Sequence, residues 1–119
     1  MHRFEELDVW KVSTGLSTDI YRTLSSLKDF SFRDQISRSG LSIPSNIAEG
    51  YERESIKEIV RFLRYAKGSA GELRTQIYIG MNAGHIEKAK GSKWLDDALR
   101  ISAMISAMIR KFKATQESR

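Results

Sequence analysis

Few residues in this 119-residue chain have a type and spacing that could do chemistry. The two histidines are His2, near the start, and His85, beside Gly84. They stand too far apart to form a two-histidine metal motif on one helix. His85 reads as an exposed turn residue. There are no cysteines, which excludes disulfides, thiolate metal sites and cysteine nucleophiles. Glu49 and Glu72 are the acids that could face inward as a carboxylate pair for proton transfer. The plainer reading makes each a salt-bridge or hydrogen-bond partner. Serines are plentiful, but no histidine is placed to activate one. No strand leads into a glycine-rich phosphate loop. The expectation is a binding protein with no catalytic site, no metal and no cofactor.

The feature that stands out is charge. Arg53, Lys57, Arg61, Arg64, Lys67 and Arg74 recur so that, at about 100° per residue, they share one side of a helix. That side lies nearly opposite an apolar stripe. Glu54, Glu58 and Glu72 flank the cations without alternating with them. A single-sign row of this kind could follow a phosphate backbone. A solvent face tempered by neighbouring glutamates is the alternative, and both stay open. Val60 and Tyr78 fall on the basic side of the same wheel, which tilts the balance towards a partner there. The net charge of +5 and isoelectric point near 9.6 fit nucleic acid or another anionic surface, although many basic proteins bind neither.

The elements that carry these residues are helical almost throughout. Val9, Val12, Leu16, Ile20, Leu24 and Leu27 recur at steps of three and four, predicting a helix over 8–27. Ser31, with Asp34 three residues on, predicts an N-terminal cap and a second helix over 32–49. Pro44 lies inside it and should kink it, with Gly40 four residues back and Gly50 as its end. Ser55 and Glu58 predict the cap of a third helix over 55–83, closed by Gly84. Ser92 predicts the start of a fourth over 92–114, with residues 115–119 fraying. Arg110, Lys111 and Lys113 oppose the negative end of that helix. Asn46 and Gln76 border apolar faces and are expected to make a buried polar contact. The fold expected is a single all-α domain over 1–119, an antiparallel up-down four-helix bundle. Its core should contain Leu16, Ile20, Ile36, Ile47, Leu63, Ala66, Leu73 and Ile105.

The fourth helix is apolar over more than half its wheel, wider than one bundle core needs. The excess, Ile101, Met104 and Met108, is expected to meet a second copy of the chain. The alternative is that this helix sits centrally in its own bundle. The charged start, Met1-His2-Arg3-Phe4-Glu5-Glu6, has no signal-peptide core, and no apolar run approaches membrane-spanning length. A cytoplasmic protein without a membrane partner is expected.

Three segments carry a resemblance. The first is Phe4-Glu5-Glu6-Leu7-Asp8-Val9-Trp10-Lys11. The second is Arg38-Ser39-Gly40-Leu41-Ser42-Ile43-Pro44-Ser45-Asn46-Ile47-Ala48-Glu49-Gly50. The third is Phe62-Leu63-Arg64-Tyr65-Ala66-Lys67-Gly68-Ser69-Ala70-Gly71-Glu72-Leu73-Arg74-Thr75-Gln76. Together they resemble the four-helix-bundle proteins encoded in intervening sequences of bacterial 23S ribosomal RNA genes, to which the accessory proteins of diversity-generating retroelements are similar. The resemblance covers about residues 4–88, and the fourth helix carries little of it. Gly71 departs from the pattern, where a larger residue is usual. The resemblance implies a four-helix bundle, commonly a barrel-like homopentamer. In its retroelement branch it implies binding of nucleic acid or a reverse transcriptase through basic surface. No catalytic residue comes with it. The partners expected are the chain itself and nucleic acid, ribosomal RNA included, or a reverse transcriptase. A protein-interaction scaffold with no nucleic-acid role stays open beside this.

Overall fold

The computed structural model describes residues 3–118, so His2 lies outside them, as does the last residue of the tail expected to fray. After a short 3-10 turn at Phe4–Glu6 come α1 (Asp8–Thr23), α2 (Phe30–Tyr51), α3 (Ile56–Asn82) and α4 (Lys88–Glu117). No strand occurs among the described residues. Each helix packs on its neighbours in the cycle α1–α2–α3–α4–α1, and across one diagonal the Tyr51 ring of α2 meets the Phe112 ring of α4 edge-on, centroids 6.0 Å apart. Short links make successive helices antiparallel, giving an up-down four-helix bundle of 52 × 21 × 20 Å.

The bundle closes on the faces that the apolar period marks. Leu16, Ile20, Ile36, Ile47, Leu63, Ala66, Leu73 and Ile105 are all buried, with Ile43, Ile59, Ile77 and Trp94 filling the space between them. Gly71 faces open space, where a Cβ would meet nothing within 4 Å.

The helix ends differ from expectation in places, each for a local reason. α1 stops at Thr23 although Leu24 stays buried. Ser25 Oγ donates to the Arg22 carbonyl at 2.9 Å, competing with the helical ladder. α2 starts at Phe30, because Asp29, and not Ser31, is its cap: the carboxylate accepts the Phe32 amide at 3.1 Å. Gly50 does not end α2, which continues through Tyr51. It is buried against α3, where a Cβ would stand 2.9 Å from the Phe62 Cβ; the glycine lets α2 and α3 approach. α2 also runs unbroken across Pro44, which is buried.

Ser55 caps α3 as expected, accepting the Glu58 amide at 3.2 Å. Gly84, at φ +80°, closes it. The His85 amide returns to the Gly80 carbonyl at 2.8 Å and the Gly84 amide to Met81 at 3.2 Å, a two-bond termination that needs the left-handed residue. Ser92 is not the cap of α4. The helix begins a turn earlier, and Gly91 inside that first turn is buried against the Met81 side chain. Nor does α4 end near 114: it extends through Glu117.

Candidate nucleic-acid interface

α3 holds its cations on two edges that differ in what neutralises them. Towards α2, the charges are paired. Arg53 lies in the link before α3, not on the helix, and its Nη2 donates to Glu49 Oε1 at 2.8 Å. Its guanidinium also lies over the Phe62 ring, 4.7 Å from the centroid. Arg61 Nε donates to Tyr65 Oη at 2.8 Å, and its Nη1 reaches Glu58 Oε1 at 3.3 Å. These bonds to Tyr65 and then Glu58 raise the Arg61 pKa further above its ordinary value.

Towards α4, the charges meet no acid among the described residues. Arg64, Lys67 and Gly68 line a groove of about 550 Å³ with Ser106, Ile109 and Arg110 of α4. Farther along, Arg74 Nη1 donates to Ser102 Oγ at 3.0 Å, a neutral partner that fixes the guanidinium without cancelling its charge. Arg64, Lys67, Arg74 and Arg110 form no ion pair with the described residues, and neither does Lys57.

The expected stripe is therefore present in part and reshaped. Lys57, Arg61, Arg64 and Lys67 are exposed on α3, while Arg74 is half-buried at the α4 contact. Val60 is not on the exposed basic side; it is buried. Tyr78 is exposed, and so is Tyr65, an aromatic among the cations that the helical wheel did not single out. From the sequence alone Arg110 is a charge near a helix end, and nothing within its own helix marks it as part of the α3 face. Its spacing from Ser106, one turn earlier, shows only that the two share a side of their helix.

The other polar candidates resolve into structure. Glu49 and Glu72 have separate partners: Glu49 pairs with Arg53, and Glu72 accepts the Ser39 hydroxyl at 2.6 Å. Asn46 bonds the Ser42 carbonyl and hydroxyl on its own helix, not Gln76. Gln76 Oε1 is buried without a hydrogen-bond partner among the described residues. His85 Nε2 lies 3.2 Å from Asp29 Oδ2, joining the two links at one end of the bundle.

At the opposite end, an apolar groove of about 1060 Å³ opens between the start of α1, the link after α2 and the last turns of α4. Leu7, Tyr51, Met104, Met108 and Phe112 line it, with Lys57 and Lys111 among them. Met104 and Met108 are half-buried there. Ile101 does not belong with them. It is 0% exposed inside the chain's own core, so it offers no surface to a second copy.

No described helix is long and apolar enough to cross a membrane. No group of three or more metal-ligating side chains is assembled among the described residues.

The family model described as 23S rRNA-intervening sequence protein matches residues 5–107, reaching well into α4, beyond the span in which the sequence motifs were recognised. Among solved structures, a protein of unknown function from Bacteroides thetaiotaomicron, described as from the S23 ribosomal protein family, superposes with a TM-score of 0.80 at 25% identity. The likeness covers 85% of this chain and 97% of that one. A comparison with curated proteins gives no significant match.

Proposed function

Since the chain belongs to the 23S rRNA-intervening sequence protein family, we propose that it acts without catalysis, as a cytoplasmic homo-oligomer that binds nucleic acid, RNA or DNA, through the cations of α3. The observation that carries this is the unneutralised charge. Lys57, Arg64 and Lys67 are exposed and meet no carboxylate among the described residues, whereas acids pair Arg53 and Arg61 a turn away. Uncompensated cations on a rigid helix attract phosphate oxygens and release the counterions condensed on them.

The oligomer rests on a separate observation, the apolar groove that Met104 and Met108 help to line. A ring, with the pentamer of related bundles as its pattern, would repeat the basic face on every protomer and add weak sites together. The same groove favours a second reading, a scaffold that binds another protein, such as a reverse transcriptase, and no nucleic acid. The two readings part in a pull-down of the tagged protein followed by RNA sequencing and mass spectrometry. Nucleic acid, ribosomal RNA included, that co-purifies at low salt and leaves at high salt supports the first. A stable protein partner, recovered equally after nuclease treatment and with no nucleic acid, contradicts it.

A further inference from the structure

The α3 stripe has two edges, and their partners differ. Arg53 and Arg61 are held by Glu49 and Glu58, so a phosphate approaching there must first displace a carboxylate. Arg64 and Lys67 have no such competitor among the described residues, and α4 adds Arg110 from across the groove. Gly68 lies between them, and a Cβ built on it would meet nothing within 4 Å. The groove is therefore open beside Gly68. Arg74 continues the row, oriented by Ser102. From Arg64 to Arg74 the row runs about 15 Å at the helical rise. Successive phosphates of one duplex strand advance about 3.4 Å along the axis, so several would fall along it.

We infer that the phosphodiester backbone is bound in the α3/α4 groove, by Arg64, Lys67 and Arg74 of one helix and Arg110 of the other, with Gly68 as the opening that admits a phosphate. This rests on the nucleic-acid reading and sharpens it: the site spans two helices and excludes the Arg53–Arg61 edge. The side chains contact phosphate and meet no base, so binding is indifferent to sequence.

A charge series at Gly68 tests the site without removing any of its cations. The position has room, and any of the replacements raises helix propensity over glycine, so folding is preserved. The probe is a fluorescent DNA duplex of about 20 base pairs at about 50 mM salt. Gly68→Glu should weaken binding about tenfold or more, Gly68→Lys should strengthen it several-fold, and Gly68→Gln should lie between them. Arg64→Ala with Arg110→Ala should lower the steepness of the salt dependence by about two, one for each lost phosphate contact. Arg53→Ala with Arg61→Ala should leave both quantities near wild type. If that edge variant weakens binding as much as the groove variants, or if Gly68→Glu binds like Gly68→Lys, the groove is wrong while nucleic-acid binding stands. If wild type does not bind the duplex or a structured RNA, the underlying reading fails too. Displacement of the duplex by inorganic tripolyphosphate at matched phosphate concentration would reassign the groove to small polyphosphates and overturn the inference.

Discussion

Removing the Asp19 carboxylate should loosen the seam that closes the bundle between α1 and α4. Trp94 is the largest fully buried side chain, at 0% exposure, and its Nε1 donates to Asp19 Oδ2 at 2.8 Å. Lys90 Nζ reaches the same oxygen at 3.3 Å. The Trp94 bond is the main reason the Asp19 pKa lies below its ordinary value, with Lys90 and Lys93 acting in the same direction. Asp19→Ala strands a buried indole N–H, which costs about 1–3 kcal/mol. The Lys90 pair is more than a third exposed and adds at most about 1 kcal/mol. For a domain of this size the melting temperature should fall by roughly 5–15 °C. Asp19→Asn keeps an acceptor for the indole and should cost less than about 1 kcal/mol. Urea unfolding followed by far-ultraviolet circular dichroism measures both, since Trp10 would complicate a fluorescence reading. A carboxylate whose pKa is depressed by folding stabilises above its unfolded pKa, and that contribution is lost as pH falls through the folded value. The gap between wild type and Asp19→Asn should therefore be full at neutral pH and close below about pH 4. An Asp19→Ala loss under about 0.5 kcal/mol would show that water takes over the indole bond, and an Asp19→Asn loss as large as that of Asp19→Ala would show that charge, not the bond, is what matters. Either result would refute the reasoning.

Leu63→Ala, at a fully buried position, should cost about 2–5 kcal/mol by urea unfolding, and a loss under about 0.5 kcal/mol would mean the core face is misassigned. Gly50→Ala should cost about 1–3 kcal/mol, because the new Cβ would stand 2.9 Å from Phe62 Cβ and force α2 from α3; an unchanged midpoint would deny that close approach. Met104→Glu with Met108→Glu should convert the proposed oligomer to monomers by light scattering with helicity largely kept. A wild type that scatters as a monomer at micromolar concentration would defeat the assembly itself. Arg53→Ala with Arg61→Ala should leave the urea midpoint near wild type, as exposed ion pairs contribute little.

The core was legible in the sequence because its signal is periodic and summed over many turns. Ile20, Leu63 and Leu73 each belong to a stripe that survives an error at any one residue. The Ser55 cap was legible for a similar reason, since a serine and Glu58 at the right spacing support each other. What failed were features settled by a neighbour distant in sequence. Gly50 reads as a stop signal until Phe62 is seen against it, and Gly91 hides the start of α4 until Met81 is seen filling its side. Leu24 and Leu27 keep the apolar period going while the serines between them turn the backbone. The candidate site divides the same way. The cations of α3 could be found on one wheel, but a wheel shows one helix at a time. It could not show that Glu49 reaches Arg53, that Arg110 joins Arg64 across a groove, or that Ile101 lies wholly inside the core.

The salt dependence of duplex binding by the wild-type protein tests the central claim most directly. Binding by groups that replace condensed counterions makes the logarithm of affinity fall linearly with the logarithm of salt concentration. Three to four phosphate contacts per protomer predict a slope of roughly −3, and an affinity some tens of times lower at about 200 mM than at about 50 mM salt. No binding at about 50 mM salt, or an affinity that does not change as salt rises, would contradict the account.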